Sequence, residues 1–538
     1  MTTKELLACI TQGATDYIQA AINTKNKADY LKLKKLFDSR WFEARHFDDT
    51  ELDILTFDWQ TLERDRNWWW QLQALPFLSW YTNSLAIQNE EERDRYFSLC
   101  VDAIHCWAKN ASNNKSSPLV WHDHAAAFRV RNLTNWLAFC HLSMGPLDEE
   151  HRVQSLGNII VDHLDWLHDE KNYSQHTNHG FDQAMIALTI GLMFDRNDFE
   201  HYRRCNRERL KDEVSFAFTD EGVHKENSPG YQQMMLGRLR QLKGLAPLGE
   251  KEISQTGERY IEKAEAFLRA ITLPDGYLPM IGDTQGGEKG LAFCPGEGDY
   301  FRLFDYSKSG YVIVKGKNKN IGEFYLLLKN GHLSNYHRHD DDLMLYLWLN
   351  GDVVLGDGGL YSHNEKNIIR KFMRSHLAHT TVFIKGRPER NRAKLDNYAK
   401  VEVLEGGRQI NAESYMFGKR IVRKLFLDRI EEGVLKILDH SPVTPLYLNM
   451  YFGAEASLRF LRNNAVTLKF PSSQLHIKTT AEFYSLVSGR GNDIFHSSFG
   501  SPRYNLVKDN TRVVLTSPSK KVETIMAFGY ERDVTCEG

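Results

Sequence analysis

Three stretches of this sequence gather side chains that can bind metal ions or move protons. The densest is NYHRHDDDLMLYLWLNGDVVLGDGGLYSH, followed by RSHLAHTTVFIKG. His337 and His339 flank one residue, so an extended strand would turn both imidazoles to one face. Asp357 lies past the next apolar run, in a GDGG turn, and His379 opens a later strand. Two histidines and a carboxylate suit a borderline-hard divalent ion, zinc or manganese. A His-x-His pair on a strand is also, and more often, a hydrogen-bonded or surface pair.

The second stretch, QHTNHGFDQA, sets Asn178 and His179 at a helix start. An asparagine there is accounted for as an N-cap, and the histidine as an ordinary first-turn residue. The third, EGVHKENSPGYQQ, uses SPG as a turn that delivers Tyr231 to the beginning of a helix. A partly buried tyrosine with a satisfied hydroxyl is its plain structural reading. Taken singly, each stretch has a bland explanation.

The elements that must position these residues change character along the chain. Apolar residues recur three and four apart in 69–84, 93–109, 125–142, 151–169, 180–194, 199–216, 232–246 and 253–271, which predicts amphipathic helices. Short connections such as MGPLDEE and ENSPG make these successive antiparallel helix pairs. Most tryptophans in runs such as NWWWQLQALPFLSWY are expected in the core, with a few at loop ends as sugar-stacking platforms. The Gly- and Pro-rich LPDGYLPMIGDTQGGEKG then ends the helical region. Beyond it, runs such as GYVIVKG, GEFYLLLKNG, LMLYLWLNG, HTTVFIKG, RIVRKLFL and VETIMAFGY, broken by Gly-rich turns, predict a large antiparallel β-sandwich. The expected fold class is α+β multidomain, with a helical domain over 1–290 and a β domain over 291–538.

Composition narrows the class. The 538 residues exceed one ordinary core, and 42% hydrophobic with 26% charged residues is globular rather than disordered. Lys plus Arg number 68 against 70 Asp plus Glu, a net charge of -2 that argues against a nucleic-acid partner. A local basic cleft for an anionic sugar polymer is still allowed. No run of about 18 apolar residues predicts a membrane span. The N-terminus reads as an amphipathic helix without a secretory signal, which points to the cytoplasm, or to the periplasm or exterior if the sequence is a processed form. The seven scattered cysteines, Cys536 among them, suggest free thiols rather than a disulfide framework.

In order, NHGFDQA, KENSPGYQ, YHRHDD, GDGGLY and SHLAHTTV resemble the heparinase II/III-like polysaccharide lyases and their alginate-lyase relatives. The resemblance runs from the tryptophan-rich segment through His379 and is architectural beyond it. It implies an incomplete (α/α) toroid followed by an antiparallel β-sandwich, and β-elimination on a uronic-acid polysaccharide, glycosaminoglycans ahead of alginate or other polyuronates. It further implies that Asn178 neutralises the uronate carboxylate, that His179 assists or serves as base for one C5 epimer, that Tyr231 is the catalytic tyrosine, and that His337 joins them from the β domain. His339, Asp357 and His379 would hold a divalent metal, zinc ahead of manganese or calcium, in a structural role. This family often places Asn after its last histidine, whereas here Thr380 follows, so His376 competes with His379. Tyr361, Arg129, Arg131, Glu226 and Arg374 are the expected substrate contacts.

Elimination removes the proton at C5 and expels the oxygen at C4. The charge gathering on the carboxylate needs donors such as Asn178. A tyrosinate base needs nearby positive charge, expected from His179 and His337, because a free phenol titrates near pH ~10. If proton and leaving group share a face, Tyr231 can serve both; if they oppose, His179 takes the proton and Tyr231 donates one. The competing readings are a glycoside hydrolase using Glu226 and Asp182, a non-catalytic glycan-binding protein, and a cupin-like metal enzyme that leaves the helical half unexplained. A homo-oligomer is compatible with the sequence.

Overall fold

The computed structural model describes residues 1–60, 63–112, 116–145, 147, 151–389, 397–462 and 464–530; Cys536 lies outside them. Two compact units emerge, Met1–Ala217 with Arg238–Arg259, and Phe218–Gly237 with Tyr260–Gly538. The expected boundary at 290/291 falls in the stretch between the helix ending at Ile271 and the strand starting at Tyr300.

The first unit is built from α1 (Lys27–Ser39), α2 (Arg66–Gln73), α3 (Phe77–Ser84), α4 (Glu90–Trp107), α5 (Asp123–Met144), α6 (Leu156–His168), α7 (Asn178–Met193) and α8 (Glu200–Ala217), with parts of α9 (Pro229–Leu242) and α10 (Lys251–Ile271). Local signals set the ends. Asn89 and Glu92 form a capping box at α4, and Glu90, Glu91 and Glu92 load its first turn with negative charge. Pro76 separates α2 from α3, which were expected as one helix. Of these helices α7 is the central one, packed against both α5 and α8 and buried on nearly every side. Gly180 allows that approach: a Cβ there would meet the Ser174 carbonyl at 2.4 Å and Glu213 at 2.5 Å. Trp68, Trp69, Trp80 and Trp136, from the tryptophan-rich runs, are buried, as expected, and so are Trp59 and Trp107.

In the second unit the strands are β1 (Tyr300–Tyr306), β2 (Tyr311–Asn318), β3 (Gly322–Lys329), β4 (Met344–Leu349), β5 (Asp352–Leu355), β6 (Thr381–Ile384), β7 (Ala399–Leu404), β8 (Gln409–Ser414), β9 (Ile421–Phe426), β10 (Val434–His440), β11 (Leu446–Tyr451), β12 (Ser457–Arg462), β13 (Ala465–Lys469), β14 (Gln474–Thr479), β15 (Glu482–Ser488), β16 (Phe499–Arg503), β17 (Leu506–Asp509), β18 (Thr511–Ser517) and β19 (Lys521–Gly529). β1 to β5 form an antiparallel meander in chain order. An eight-stranded sheet runs β12-β13-β14-β19-β10-β9-β8-β7, and a four-stranded one β15-β18-β11-β6. Val314, Leu326 and Leu347 from the meander, Leu425, Leu435 and Met526 from the large sheet, and Leu448 and Leu515 from the small one share one apolar core. That continuous core makes the sheets a sandwich.

Polar anchors fix the loop between β3 and β4, which carries His337 and His339. Lys329 pairs with Asp341 at 2.7 Å, both fully buried. Ser414 donates to Asp342 at 2.6 Å, and Arg423, itself paired with Asp439, donates to the Leu343 carbonyl at 2.8 Å. Two of the three consecutive aspartates, Asp341 and Asp342, are therefore spent on holding a loop.

Candidate active site

In the second unit, the turn before α9 is laced to the His337 loop. Asn227 donates to the carbonyls of Ser334 and Tyr336 at 3.0 and 2.9 Å and accepts from the Leu333 amide at 2.8 Å. The Ser334 hydroxyl returns to the Lys225 carbonyl at 2.8 Å. The neighbouring 282–284 turn is tied in as Thr284 meets the Ser228 hydroxyl at 2.8 Å and the Gly230 amide at 3.1 Å. Three segments far apart in sequence thus present Tyr231, Asp283 and His337 together.

The Tyr231 ring stacks on the His337 imidazole with centroids 3.9 Å apart and planes 28° from parallel. His337 Nδ1 donates to Asp283 Oδ2 at 2.7 Å, and its Nε2 lies 3.4 Å from Glu226. His337 holds a left-handed backbone with φ 50°, which costs an L-residue roughly 1–2 kcal/mol and persists where surroundings demand it. The same turn overturns the expected strand geometry: His337 and His339 lie in a loop ahead of β4, and a shared carboxylate rather than a shared strand face relates them. Asp283 accepts from His339 Nε2 through Oδ1 at 2.8 Å, and the Arg370 guanidinium spans both oxygens, with Nη2 at 2.8 Å from Oδ2. Burial opposes the Asp283 charge, but Arg370 and the two histidine hydrogen bonds hold its pKa well below the usual carboxylate range.

Tyr231 moves the other way. Burial, then the charges of Asp283 and Glu226, push its phenol well above the ordinary value, against the pull of Arg370. The expected depression by histidine charge is absent because carboxylates face the ring. In this state the hydroxyl keeps its proton.

His339, Asp357 and His379 are all buried and bring one donor atom each within 4.8 Å of one another. A backbone bridge joins Asp357 to His379, and His379 Nδ1 donates to Asp357 Oδ2 at 2.8 Å. His339 Nδ1 and His379 Nε2 are buried without a hydrogen-bond partner. With the other nitrogen of each ring donating to a carboxylate, these two are the positions a cation would take. Burial opposes charge on His379, but Asp357 raises its pKa, so an ion there would displace a proton. Burial lowers the His339 pKa further toward the neutral ring. The donor set therefore fits a divalent metal. His376, the competing ligand, packs against Phe383 and Phe417, and burial brings its pKa down to about 4. Two other groups, His122–Asp123–His179 and Asp283–His337–His363, meet the same distance condition, but neither is buried throughout as His339, Asp357 and His379 are.

In the first unit, Thr177 rather than Asn178 caps α7, accepting from the Gly180 amide. Asn178 is the first helical residue, 9% exposed, so capping does not explain it. His179 Nδ1 lies 3.1 Å from Asp123 Oδ1, and its ring stacks on His124 at 4.2 Å. His124 in turn meets Asp182 at 2.8 Å, and Arg238 grips Asp182 with bonds of 3.0 and 2.9 Å. Burial opposes the charge on Asp123, yet His122 and His179 hold its pKa well below normal; His124 and Arg238 do the same for Asp182. An ionised Asp123 fixes the proton on His179 Nδ1 and leaves the Nε2 lone pair.

The expected substrate contacts divide. Arg129 is fully buried and spent on the Gln73 and Val120 carbonyls and His163, with its guanidinium 4.3 Å over Trp107. It braces the helical core, which corrects its expected subsite role. Glu226 is 3% exposed, beside His337, and Arg374 is engaged with Glu365 and the Arg338 carbonyl. Arg131 and Tyr361 keep partly exposed side chains. Asp123, Asn227, Asp283 and Arg370 were missed from sequence; only the Gly-rich GDTQGG context of Asp283 hinted at a constrained turn.

The chain matches two family descriptions: Heparinase II/III N-terminus over residues 11–295, and Heparinase II/III-like, C-terminal, over 301–528. A curated heparin-sulfate lyase of Pedobacter heparinus is 21% identical over 363 residues, covering 60% of this chain and 52% of that protein. The chain thus spans about half the length of that relative. Among solved structures, a heparinase III aligns with TM-score 0.73 at 15% identity over 96% of this chain and 88% of that one. A mutant of the heparan sulfate lyase HepC from Pedobacter heparinus aligns with TM-score 0.65 at 16% identity over 99% and 89%. The fold is that of these structures, an incomplete (α/α) toroid followed by an antiparallel β-sandwich.

Proposed function

Because this chain belongs to the heparinase II/III family, we propose that it is a polysaccharide lyase that cleaves uronic-acid polymers by β-elimination, with a glycosaminoglycan of the heparan sulfate class as substrate. The observation that carries the reading is Tyr231 stacked at 3.9 Å on a histidine that Asp283 holds by Nδ1. A protonated tyrosine beside a carboxylate-oriented imidazole is the equipment for donating a proton to a leaving oxygen. The similarity to the heparin-sulfate lyase of Pedobacter heparinus supports the substrate class.

In this mechanism Asn178 donates to the uronate carboxylate at the N-terminus of the 16-residue α7, where the helix dipole also favours negative charge. His179, oriented by Asp123, takes the C5 proton on its Nε2 when that proton and the leaving oxygen lie on opposite faces. Tyr231 gives its phenolic proton to the oxygen at C4. Where the two share a face, Tyr231 would first lose its proton to solvent, then take the C5 proton as phenolate and pass it to the oxygen at C4; its raised pKa disfavours that route and favours the opposite-face one. His337, packed on the ring, keeps the tyrosine aligned. Arg131 and Tyr361 are the remaining substrate contacts among those expected.

His339, Asp357 and His379 would hold a divalent ion, zinc ahead of manganese or calcium. The ion would supply fixed positive charge and rigidity beside the His337 loop rather than touch the sugar.

A glycoside hydrolase is the weaker reading. Its two candidate carboxylates, Glu226 and Asp182, are 3% and 1% exposed and engaged with protein groups. The test is a panel of heparan sulfate, heparin, chondroitin sulfate, hyaluronan and alginate, followed by the ultraviolet absorbance of the unsaturated uronate. Absorbance growing with heparan-type polymers supports the proposal; reducing ends without absorbance indicate a hydrolase, and neither signal indicates a binder.

A further inference from the structure

One carboxylate stands between the two histidine clusters of the second unit. Asp283 is 3% exposed. Its Oδ2 accepts from His337 Nδ1 at 2.7 Å and its Oδ1 from His339 Nε2 at 2.8 Å. Arg370, also buried, lies across both oxygens. Paired with a guanidinium, the carboxylate is an acceptor only, so each facing imidazole nitrogen carries its proton toward Asp283. One anion thereby selects both tautomers. His339 is left with its lone pair on Nδ1, the buried nitrogen without a partner, facing Asp357 and His379. His337 is left with Nε2 away from Asp283, and with its ring plane fixed under Tyr231.

We propose that Asp283, anchored by Arg370, is a positioning residue that couples the ion held by His339, Asp357 and His379 to the orientation of His337. The inference rests on the lyase reading for the role of His337, and it adds a route by which the ion acts on the reaction without touching substrate. An ion bound at His339 Nδ1 fixes that ring. The ring fixes Asp283 Oδ1, and the other oxygen of the same rigid carboxylate fixes His337. Strain in the left-handed His337 backbone gives this hold something to work against, because a released ring has a reason to leave. Coupling of this kind is reciprocal for binding, so the state of the His337 side also feeds back on ion affinity.

The experiment compares the wild-type chain with Asp283→Asn, His337→Gln and the double variant. Zinc affinity is read by competition with a chelating dye, and steady-state kinetics on heparan sulfate by unsaturated product. Asp283→Asn keeps the shape but offers only one acceptor oxygen. It is expected to weaken zinc by about 10–100-fold, the range for groups that orient a ligand histidine. It should also lower kcat with little change in KM, and the double variant should lose no more than about twofold beyond the worse single one. A purely structural Asp283 would instead multiply its loss with that of His337→Gln. Arg370→Lys, which leaves Asp283 in place but loosens its anchor, should repeat both effects more weakly and serves if Asp283→Asn fails to fold. Unchanged zinc affinity, or multiplicative kinetics, overturns the proposal. Absence of unsaturated product from the wild type would sink the lyase reading instead, while the zinc measurement still decides whether Asp283 orients the ion site.

Discussion

Asn227 and Tyr336 are joined by a hydrogen bond of 2.9 Å across 109 positions of sequence. With its companion bonds to Ser334 and Leu333, it fastens the turn that delivers Tyr231 to the loop that delivers His337. The stacked pair is therefore a product of side-chain lacing between the turn that opens α9, which carries Tyr231, and the irregular loop that carries His337.

Replacing Asn227 with Ala should release that loop. Three hydrogen bonds at about 0.5–1.5 kcal/mol each are lost, and carbonyls of Ser334 and Tyr336 lose a buried donor. We expect a fall in kcat of at least tenfold with a smaller loss of melting temperature. Wild-type kinetics in Asn227→Ala would contradict the lacing role.

Chelation should lower stability if His339, Asp357 and His379 hold an ion. At free metal 100 times its dissociation constant, binding contributes about 2.7 kcal/mol to folding. Dialysis against a chelator should lower the melting temperature, zinc should restore it, and His379→Ala should remove both responses. A melting curve indifferent to chelator would reject the site.

The helical unit carries its own pH dependence. His163 accepts from Arg129 Nε at 2.8 Å and donates Nδ1 to the Ile159 carbonyl at 2.7 Å, which demands the neutral ring. Burial, with the Arg129 charge, holds its pKa well below the ordinary value, and burial lowers His124 too. Below an unfolded histidine pKa of about 6.5 the unfolded chain takes protons that the folded chain refuses, so stability falls as pH drops and is complete above that point. Melting temperature should decline from about pH 6.5 to 5, and His163→Gln should flatten part of the decline. A flat profile for the wild type would contradict the assignment.

Asp182 and Arg238 form a paired charge in the first unit, with Asp182 1% exposed. Removing one partner of such a pair typically costs about 3–5 kcal/mol because a buried charge is left behind. Arg238 is partly exposed, so the lower end applies to Asp182→Ala. Denaturant unfolding should show the loss; a change below about 1 kcal/mol would mean that solvent screens the pair.

What could be read from the sequence follows from the range of the forces involved. Helical periodicity is local, so α5, α7, α8 and α10 fall within a few residues of the expected spans. β11 escaped notice because a polar Asn449 sits inside it; folding satisfies that amide with the carbonyls of Leu377 and His379, 72 and 70 positions away. The same distinction runs through the site. His339, Asp357 and His379 announce themselves by residue type and turn context. Asp283 and Arg370 look like a loop acid and a helix base until the fold closes the 87 positions between them. Arg129 erred in the opposite direction: a charged side chain suggested a surface for sugar acids, whereas two tryptophans and three hydrogen bonds make it a core residue.

The phenolic oxygen of Tyr231 is the atom on which the proposed reaction turns. Tyr231→Phe retains the ring on His337 and removes only that hydroxyl, so melting should stay near wild type while turnover falls about 10²–10⁴-fold, as for loss of a general acid or base. Heparan sulfate incubated with the two proteins, followed by absorbance of the unsaturated uronate, gives the answer directly. Strong product formation by the wild type with near silence from a folded Tyr231→Phe is the predicted result; equal rates from both would contradict it.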